Sequence, residues 1–515
     1  MNIKKLALVG LSAFLLALAI FAILLARHWP FSQARIAQSL QSTFPATVTF
    51  QKFHSTYFPH PGCVAEGLVF SRLGATPGTP PVVTVQQLTI QAHYLDLLFR
   101  PGYLSEIVLK DFRVHIPPMG TPVENSNWQE TPSTIRVGEV VADGSSMQID
   151  RVSGPPLLFA IPTLRLDSVA GNQPATFILA LHIPLPPGDI RATGKFGPWN
   201  YSDPGQTLVA GEYTFQNADL SVFHGIAGIL SAHDNFQGIL RQIDSSGTID
   251  VPNFMVTRSD HPIHLKSSFH ATVDGTNGDV QLDRVTGTFL NTFVLGKGQI
   301  AHHPGHDGKL TTVDLSVQNG RIQDVLRMFI HGHHPPMHGT TSFRAHVIIP
   351  PGDEPFLHKV RLVGDFGIDD GQFAKPATQI SVDTLSQRAL GEKVSPAVTQ
   401  TVSTDPDADP DAVISALAGH VELRDATATF NDFRFTVPGA SAHMHGTYNL
   451  ETLAIDLHGT LKTDEEFSGL TTGFKSVILK PFNVFFRKKH AGAVLPVHLA
   501  GTYKKPEPGL DLPVK

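Results

Sequence analysis

The sequence predicts a mainly β protein in which an N-terminal transmembrane helix precedes an elongated, curved antiparallel β-sheet, groove- or taco-like, with a few short helices. The first observation is an alternation of apolar and polar residues with period two, which recurs through most of the chain and is typical of a sheet with one apolar face. The second is composition: 44 Gly and 39 Pro with only 16% charged residues favour many short strands, on the order of 30, joined by turns.

One uncharged stretch near the N-terminus predicts a membrane anchor. It begins at Leu6, ends at Ala26, and as a helix would span about 30 Å, the thickness of a bilayer's hydrocarbon core. Lys4 and Lys5 precede it and favour a cytoplasmic N-terminus. The alternative is a cleaved signal peptide, but its apolar core is usually shorter, and Leu24 stands where cleavage needs a small residue. We therefore expect an uncleaved anchor.

The strand pattern begins soon after this stretch. A short helix is expected after Pro30, with Ser32 as its N-cap, and a strand is expected from Ala46. The clearest alternation falls in residues 265–274 and returns in residues 313–317. If the apolar side of these strands is not covered by a second layer, it offers a surface to lipid. The candidate lipid-facing residues are Leu265, Phe269, Ala271, Val273, Val313, Leu315 and Val317.

Few segments favour helix, and they help to divide the chain. Helical patterns are expected in residues 95–99, 222–243, 322–329 and 380–390. The predicted regions are a cytoplasmic tip and anchor (1–29), an N-terminal β region (30–200), a central β-groove region with short helices (201–394), an acidic Pro/Asp loop (395–411) and a C-terminal β region (412–515).

Motifs for catalysis or a bound cofactor are missing from the sequence. It has no nucleophile elbow, P-loop, HExxH helix or Rossmann glycine cluster. Cys63 is the only cysteine, which excludes an intrachain disulfide and a cysteine-based zinc site, and the net charge of −6 does not suggest nucleic acid. We expect a protein that is not an enzyme, with no catalytic residue, cofactor or metal.

Two groups of residues nevertheless leave alternatives open. Histidines cluster in Gly/Pro-rich segments, where a solvated loop is favoured over a metal site; they are His302, His303 and His306, then His331, His333, His334 and His338. The basic group Arg487, Lys488 and Lys489 is interpreted either as protection of a strand edge or as a contact for anionic lipid headgroups.

The order of these features resembles the AsmA family of double-membraned bacteria. The N-terminal similarity lies in the anchor, the short helix and the segments VTF at 48–50, GCVAEGL at 62–68 and LSEIVLKDF at 104–112. The C-terminal similarity lies in VPGA at 437–440, GTYNL at 446–450, DLHG at 456–459, FFRK at 485–488 and VHLAGTY at 497–503. The resemblance is one of pattern and order, and residues 205–376 are the least distinctive.

The resemblance implies a periplasmic body held on the inner (cytoplasmic) membrane, with a role in outer-membrane and cell-envelope biogenesis. It also implies a β-groove that holds or conducts phospholipid acyl chains, and no catalytic residues. The alternative is a non-enzymatic assembly factor that binds an envelope protein partner by strand addition. An extracytoplasmic hydrolase would require a pocket of convergent titratable groups, which the sequence does not indicate.

Overall fold

The computed structural model describes residues 29–43, 46–72, 79–117, 135–151, 155–200, 202–303, 308–331, 334–352, 354–390, 412–464, 494–502 and 505–510. The predicted anchor, the acidic loop and the basic group at 487–489 lie outside these residues. Among the helices that are described, none has the length and apolar character needed to cross a bilayer.

The described chain is mainly β. The first strands are β1 (Ala46–Thr49), β2 (Lys52–Thr56), β3 (Gly62–Arg72), β4 (Val83–Gln91), β5 (Tyr103–Ile116), β6 (Arg136–Ile149), β7 (Leu157–Ala170), β8 (Ala175–Pro184), β9 (Pro187–Phe196), β10 (Leu208–Asp219), β11 (Ile226–Ala227) and β12 (Ile229–Ile239). They are followed by β13 (Gln242–Val256), β14 (Ile263–Asp274), β15 (Asp279–Phe289), β16 (Thr292–His302), β17 (Lys309–Arg321), β18 (Met337–Ile349), β19 (Arg361–Phe373), β20 (Ser415–Arg424), β21 (Thr427–Val437), β22 (Ala440–Asn449), β23 (Ala454–Thr463), β24 (Val494–Thr502) and β25 (Lys505–Leu510).

In the described residues, five short α-helices interrupt the strands: α1 (Gln33–Thr43), α2 (Tyr94–Phe99), α3 (Ile322–Phe329), α4 (Phe356–Lys359) and α5 (Pro376–Ala389). Four of them confirm helical predictions, and α3 has the predicted bounds. The predicted helix at 222–243 is wrong. That segment forms β11, β12 and the start of β13, because Gly225, Gly228 and Gly238 hold positive φ angles that break a helix.

The strands form one 25-stranded sheet, which is mixed rather than purely antiparallel. Strands β5 and β6 run parallel, with Tyr103 opposite Arg136 and Ile116 opposite Ile149. A parallel pair needs a connection of about a dozen residues or more, and residues 117–135 are long enough to supply it. Period-two alternation is the same in both directions, so the sequence could not indicate this pair.

The chain divides into two compact units, the first reaching residue 185 and including 189–213, the second comprising 186–188 and 214–515. In the first unit, helix α1 covers one face of the sheet. Its Ile36 and Leu40 pack against a cluster that includes the fully buried Cys63, Ala65 and Leu68. The part of this face formed by β1 to β5 is therefore a closed hydrophobic core.

In the second unit, helices lie at both ends of the strands. At one end, α3 packs Ile322 on Met337 and Ile368, and α5 packs Val382 near Val437. At the other end, Phe356 of α4 joins a cluster centred on buried residues of β18. The helices therefore cover apolar residues at both ends of these strands.

A histidine links turns at the α4 end. The His358 ring is hydrogen-bonded through Nδ1 to Asp425, between β20 and β21, and through Nε2 to Glu451, between β22 and β23, at 2.9 Å. The hydrogen bond to the Asp425 carboxylate, followed by that to Glu451, raises the pKa of His358 above its ordinary value of 6.5. Protonated His358 therefore holds three connections of the sheet together.

We expect His358 to stabilise the fold in a pH-dependent way. Because its pKa is raised on folding, its contribution is fully present below pH 6.5 and is lost as pH rises through the pKa of the folded state. His358→Gln should lower the urea midpoint most on the acid side, and the difference from wild type should shrink with rising pH. His443→Gln, an exposed histidine on β22, is the control. A difference that is constant with pH would contradict the ionic role.

Candidate functional site: the apolar face of the second unit

Strand β14 shows how the two faces of the second unit differ. Leu265 and Phe269 are half-buried, whereas their sequence neighbours His264, Lys266 and His270 are exposed. The alternation predicted for this strand is confirmed. Leu265 and Phe269 are less completely covered than residues of the hydrophobic cluster of the first unit, where Leu68 is 1% exposed and Val85 is 2% exposed.

The strand registers join the apolar residues into rows that run across the sheet. Directly opposed residues of neighbouring strands point to the same face, so each chain of cross-strand partners is a continuous line of side chains. The first row contains Gly247, Phe269, Val285, Gly296, Leu315, Ala345, Gly364, Val421, Phe430, Gly446, Leu457 and Leu499. At about 4.8 Å per strand, it runs for about 50 Å.

Two further rows flank the first. The second row contains Ala271, Leu282, Gly298, Val313, Val347, Leu362, Leu423, Ala428, Tyr448, Ile455 and Gly501. The third row contains Val317, Phe343, Phe366, Gly419, Phe433, Met444, Gly459 and Val497. Apart from the Tyr448 hydroxyl, no side chain in the three rows carries a polar hydrogen-bonding group, so together they form an apolar face.

The seven predicted residues all lie on this face. Phe269 and Leu315 belong to the first row, Ala271 and Val313 to the second, and Val317 to the third. Leu265 lies opposite Val251 and Phe289, and Val273 lies opposite Ile243 and Val280. Ala271 and Val317 are only 2% exposed, so they pack among their neighbours, while the other five are half-buried.

Glycines are a feature of the face that the sequence analysis missed. A Cβ at Gly364 would lie 2.4 Å from the carbonyl oxygen of Arg344, and one at Gly446 would lie 2.0 Å from that of Asp456. The backbone of the neighbouring strand therefore approaches these glycines on the apolar side. The available signal was the spacing of glycine within strand patterns, which often marks a close backbone approach.

A buried polar pair stands at one end of the first row. Asp234 lies opposite Gly247 and is 0% exposed. Ser245 Oγ donates a hydrogen bond to Asp234 Oδ2 at 2.5 Å, while Oδ1 has no partner in the described structure. Asp234 therefore ends the first row at β12, and Ser245, which lies opposite Ala271, stands at the end of the neighbouring row at β13. No sequence pattern distinguished Asp234 from the exposed polar residues around it.

We expect the two partners of this pair to be strongly coupled. Ser245→Ala should lower the free energy of unfolding by about 1–3 kcal/mol, because it leaves a buried carboxyl group without its donor. The double variant Asp234→Leu, Ser245→Ala should unfold close to wild type, because both polar partners are replaced by apolar groups. Urea denaturation of the wild type, both singles and the double variant measures the coupling. Additive losses would contradict it.

The opposite face carries exposed pairs of histidine and carboxylate. His270 lies between Asp244 at 3.0 Å and Asp283 at 3.3 Å. His346 is 2.8 Å from Asp314 on the neighbouring strand. Such exposed pairs contribute little to stability, but they keep this face polar.

The described part of the chain offers no metal cluster of three or more His, Cys, Asp or Glu residues. His302, at the end of β16, and His303 are described, and so are His331, His334 and His338, whereas His306 and His333 lie outside the described residues. The sole cysteine is also unsuited to reaction, because burial raises the pKa of the Cys63 thiol to about 12.

The fold and the face define a protein class: a β protein built on one large sheet, with a continuous apolar face in its second unit. No family model, curated protein or solved structure matches the chain. The resemblance to the AsmA family therefore depends on the sequence segments given above.

Proposed function

We propose that this chain is an AsmA-like protein, anchored in the inner membrane through residues 6–26, that holds or conducts phospholipid acyl chains in a periplasmic β-groove. It would contribute to outer-membrane and cell-envelope biogenesis without catalysing a reaction. The observation that carries the proposal is the first row, which stays apolar from β13 to β24 while Phe269, Val285, Leu315, Val421 and Phe430 remain half-buried.

The physical chemistry of the rows suits an acyl chain. Burying each CH₂ is worth about 0.8 kcal/mol, and rows of aliphatic, aromatic and glycine residues offer no specific contact that would stop a chain from sliding. A row of about 50 Å is longer than the hydrocarbon core of a bilayer, about 30 Å. It would therefore accommodate several acyl chains in succession.

The glycines support a groove rather than a flat sheet. At Gly364 and Gly446 an added Cβ would meet the backbone of the neighbouring strand, so only glycine allows the two strands to approach so closely there. Glycine kinks of this kind are a common means of curving a sheet. A concave apolar face would surround an acyl chain on more than one side, which increases the apolar area removed from water.

The alternative, strand addition by an envelope protein, has weaker support. Among the described strands, β25 pairs only with β24 and so forms an edge. This edge carries Pro506, which has no N–H to offer an incoming strand. Native proteins use edge prolines to discourage such pairing.

Photocrosslinking in cells would test the proposal. A photoreactive amino acid at position 315, in the first row, should form an adduct with phospholipid that mass spectrometry identifies. The same amino acid at position 295 is the control, because Leu295 lies on the opposite face and is 38% exposed. Adducts at 315 with protein alone, or lipid adducts equal at both positions, would contradict the groove.

A further inference from the structure

A second apolar surface lies in the first unit, apart from the apolar face. It is formed by the loop between β2 and β3 and by helix α2. Its members, which we call the aromatic patch, are Tyr57, Phe58, Tyr94, Leu95, Leu98 and Phe99. Phe58 is 90% exposed and Phe99 is 72% exposed. Single exposed apolar residues are ordinary, but six on two adjoining segments indicate a binding surface.

Direct contacts make the two segments one surface. The Tyr94 hydroxyl donates a hydrogen bond to the carbonyl oxygen of Tyr57. The rings of His60 and His93 meet edge to face, with centroids 5.2 Å apart. The backbone N–H of Ala92 donates to the carbonyl of Pro61 at 2.9 Å. The loop therefore presents its aromatic residues beside those of the helix.

The patch residues on helix α2 are not packed against the rest of the first unit. The helix contains no buried residue, and Leu97 is its member that packs on the hydrophobic cluster of the first unit. Leu95, Leu98 and Phe99 point away from that cluster and are largely exposed. Arg100, which follows the helix, also has an exposed side chain and lies 3.8 Å from Asp96.

The patch lies next to the residues that follow the predicted anchor. Trp29 packs against Tyr57, with ring centroids 4.7 Å apart and the ring planes tilted by 39°, and is itself buried. The uncharged stretch ends at Ala26, only three residues before Trp29, and three residues span at most about 10 Å. If residues 6–26 cross a bilayer, Trp29 must therefore lie close to its surface, and so must Tyr57.

We propose that the aromatic patch inserts into the outer interface of the bilayer that holds the anchor. This inference rests on the anchor in the proposed function and adds a second, peripheral membrane contact. Tyr side chains suit the headgroup level, and Phe and Leu side chains suit the boundary of the acyl chains. Arg100 beside them would meet lipid phosphates. Insertion brings the start of β3, the end of β4 and the start of β5 to the membrane.

Single-cysteine labelling of the full-length protein in proteoliposomes tests this contact. The buried Cys63, with its pKa raised to about 12, leaves an introduced cysteine as the reactive thiol. A fluorophore is placed on Phe58→Cys or Phe99→Cys, with Leu158→Cys as the control. Leu158 is also well exposed, at 56%. It lies on β7, about 30 Å from Asp167 of the same strand. Asp167 pairs through Glu139 with Glu106, at the end of the strands that carries the patch, so Leu158 lies far from the patch.

Lipids with brominated acyl chains should quench the fluorophores at positions 58 and 99 at least threefold more strongly than the one at 158. Flotation of the proteoliposomes after alkaline treatment shows separately whether the protein is held in the bilayer by its anchor, because a peripheral protein is released. If the protein floats with the vesicles but the fluorophores are quenched equally at all three positions, the patch does not insert into the bilayer. The proposals of an anchor and a groove are then unaffected. If alkali releases the protein from the vesicles, both the anchor and the insertion of the patch are wrong. The lipid adduct at position 315 tests the groove independently of these results.

Discussion

Phe269→Asp is expected to reduce lipid adducts formed from position 285 at least tenfold while the protein stays folded. Val285 is the partner of Phe269 in the first row, so an acyl chain at one position passes the other. A charge among acyl chains costs several kcal/mol, and 1.4 kcal/mol already changes occupancy tenfold. The measurement is photocrosslinking from position 285 in both backgrounds, with circular dichroism to monitor folding.

Phe293→Asp supplies the matched control for this prediction. It makes the same chemical change two strands away, but Phe293 lies on the opposite face and is 48% exposed. Lipid adducts from position 285 should be unchanged. If Phe269→Asp instead unfolds the protein, and position 285 gives no lipid adduct in the wild-type background, the apolar face is a dry protein core and the groove is wrong.

Gly364→Ala is expected to destabilise the second unit by about 2–4 kcal/mol, a large effect for one methyl group. The added Cβ would lie 2.4 Å from the carbonyl oxygen of Arg344, which belongs to the strand backbone and has little freedom to move. Shifting that strand would also disturb the register on which the first row depends. The urea midpoint of the purified variant measures the loss.

Gly367→Ala in the same strand is the control. A Cβ at Gly367 meets nothing within 4 Å, and its backbone φ is not among the positive values. Replacing glycine by alanine at such a site is neutral or stabilises by up to about 1 kcal/mol, because the unfolded chain loses freedom. Equal effects of the two substitutions would show that strand β18 does not approach Gly364 as closely as described.

Local periodicity was enough to predict the strands, most of the helices and the faces of single strands. Strand β14 and helix α3 follow it closely, because their apolar residues repeat at the expected spacing and only Ser267 interrupts the apolar side of β14. It failed at 222–243, where Ile226, Ile229 and Leu230 fit a helical spacing. There the exposed His233, Asn235 and Gln237 alternate with inward residues of β12, and the strand pairing prevails over the helical pattern.

The rows could not be derived from the sequence, because they depend on register. In β15 and β21, bulges between Leu282 and Val285 and between Phe430 and Phe433 bring both flanking residues onto the apolar face. Without such bulges, the later half of each strand would turn its apolar residues to water. Burial also depends on neighbours in space: Ala271 and Leu265 hold equivalent positions in the alternating pattern, but Ala271 is 2% exposed and Leu265 is half-buried.

The pairing of the second unit has a consequence for how such a protein changes in size. From β13 to β24 each strand pairs with the strand before it and the strand after it in the chain, always antiparallel. Inserting one hairpin would therefore extend all three rows by about 10 Å and keep the direction of every later strand. Deleting a hairpin would shorten them equally. Related chains would differ in reach by steps of two strands, whereas loss of a single strand would reverse the rest of the sheet.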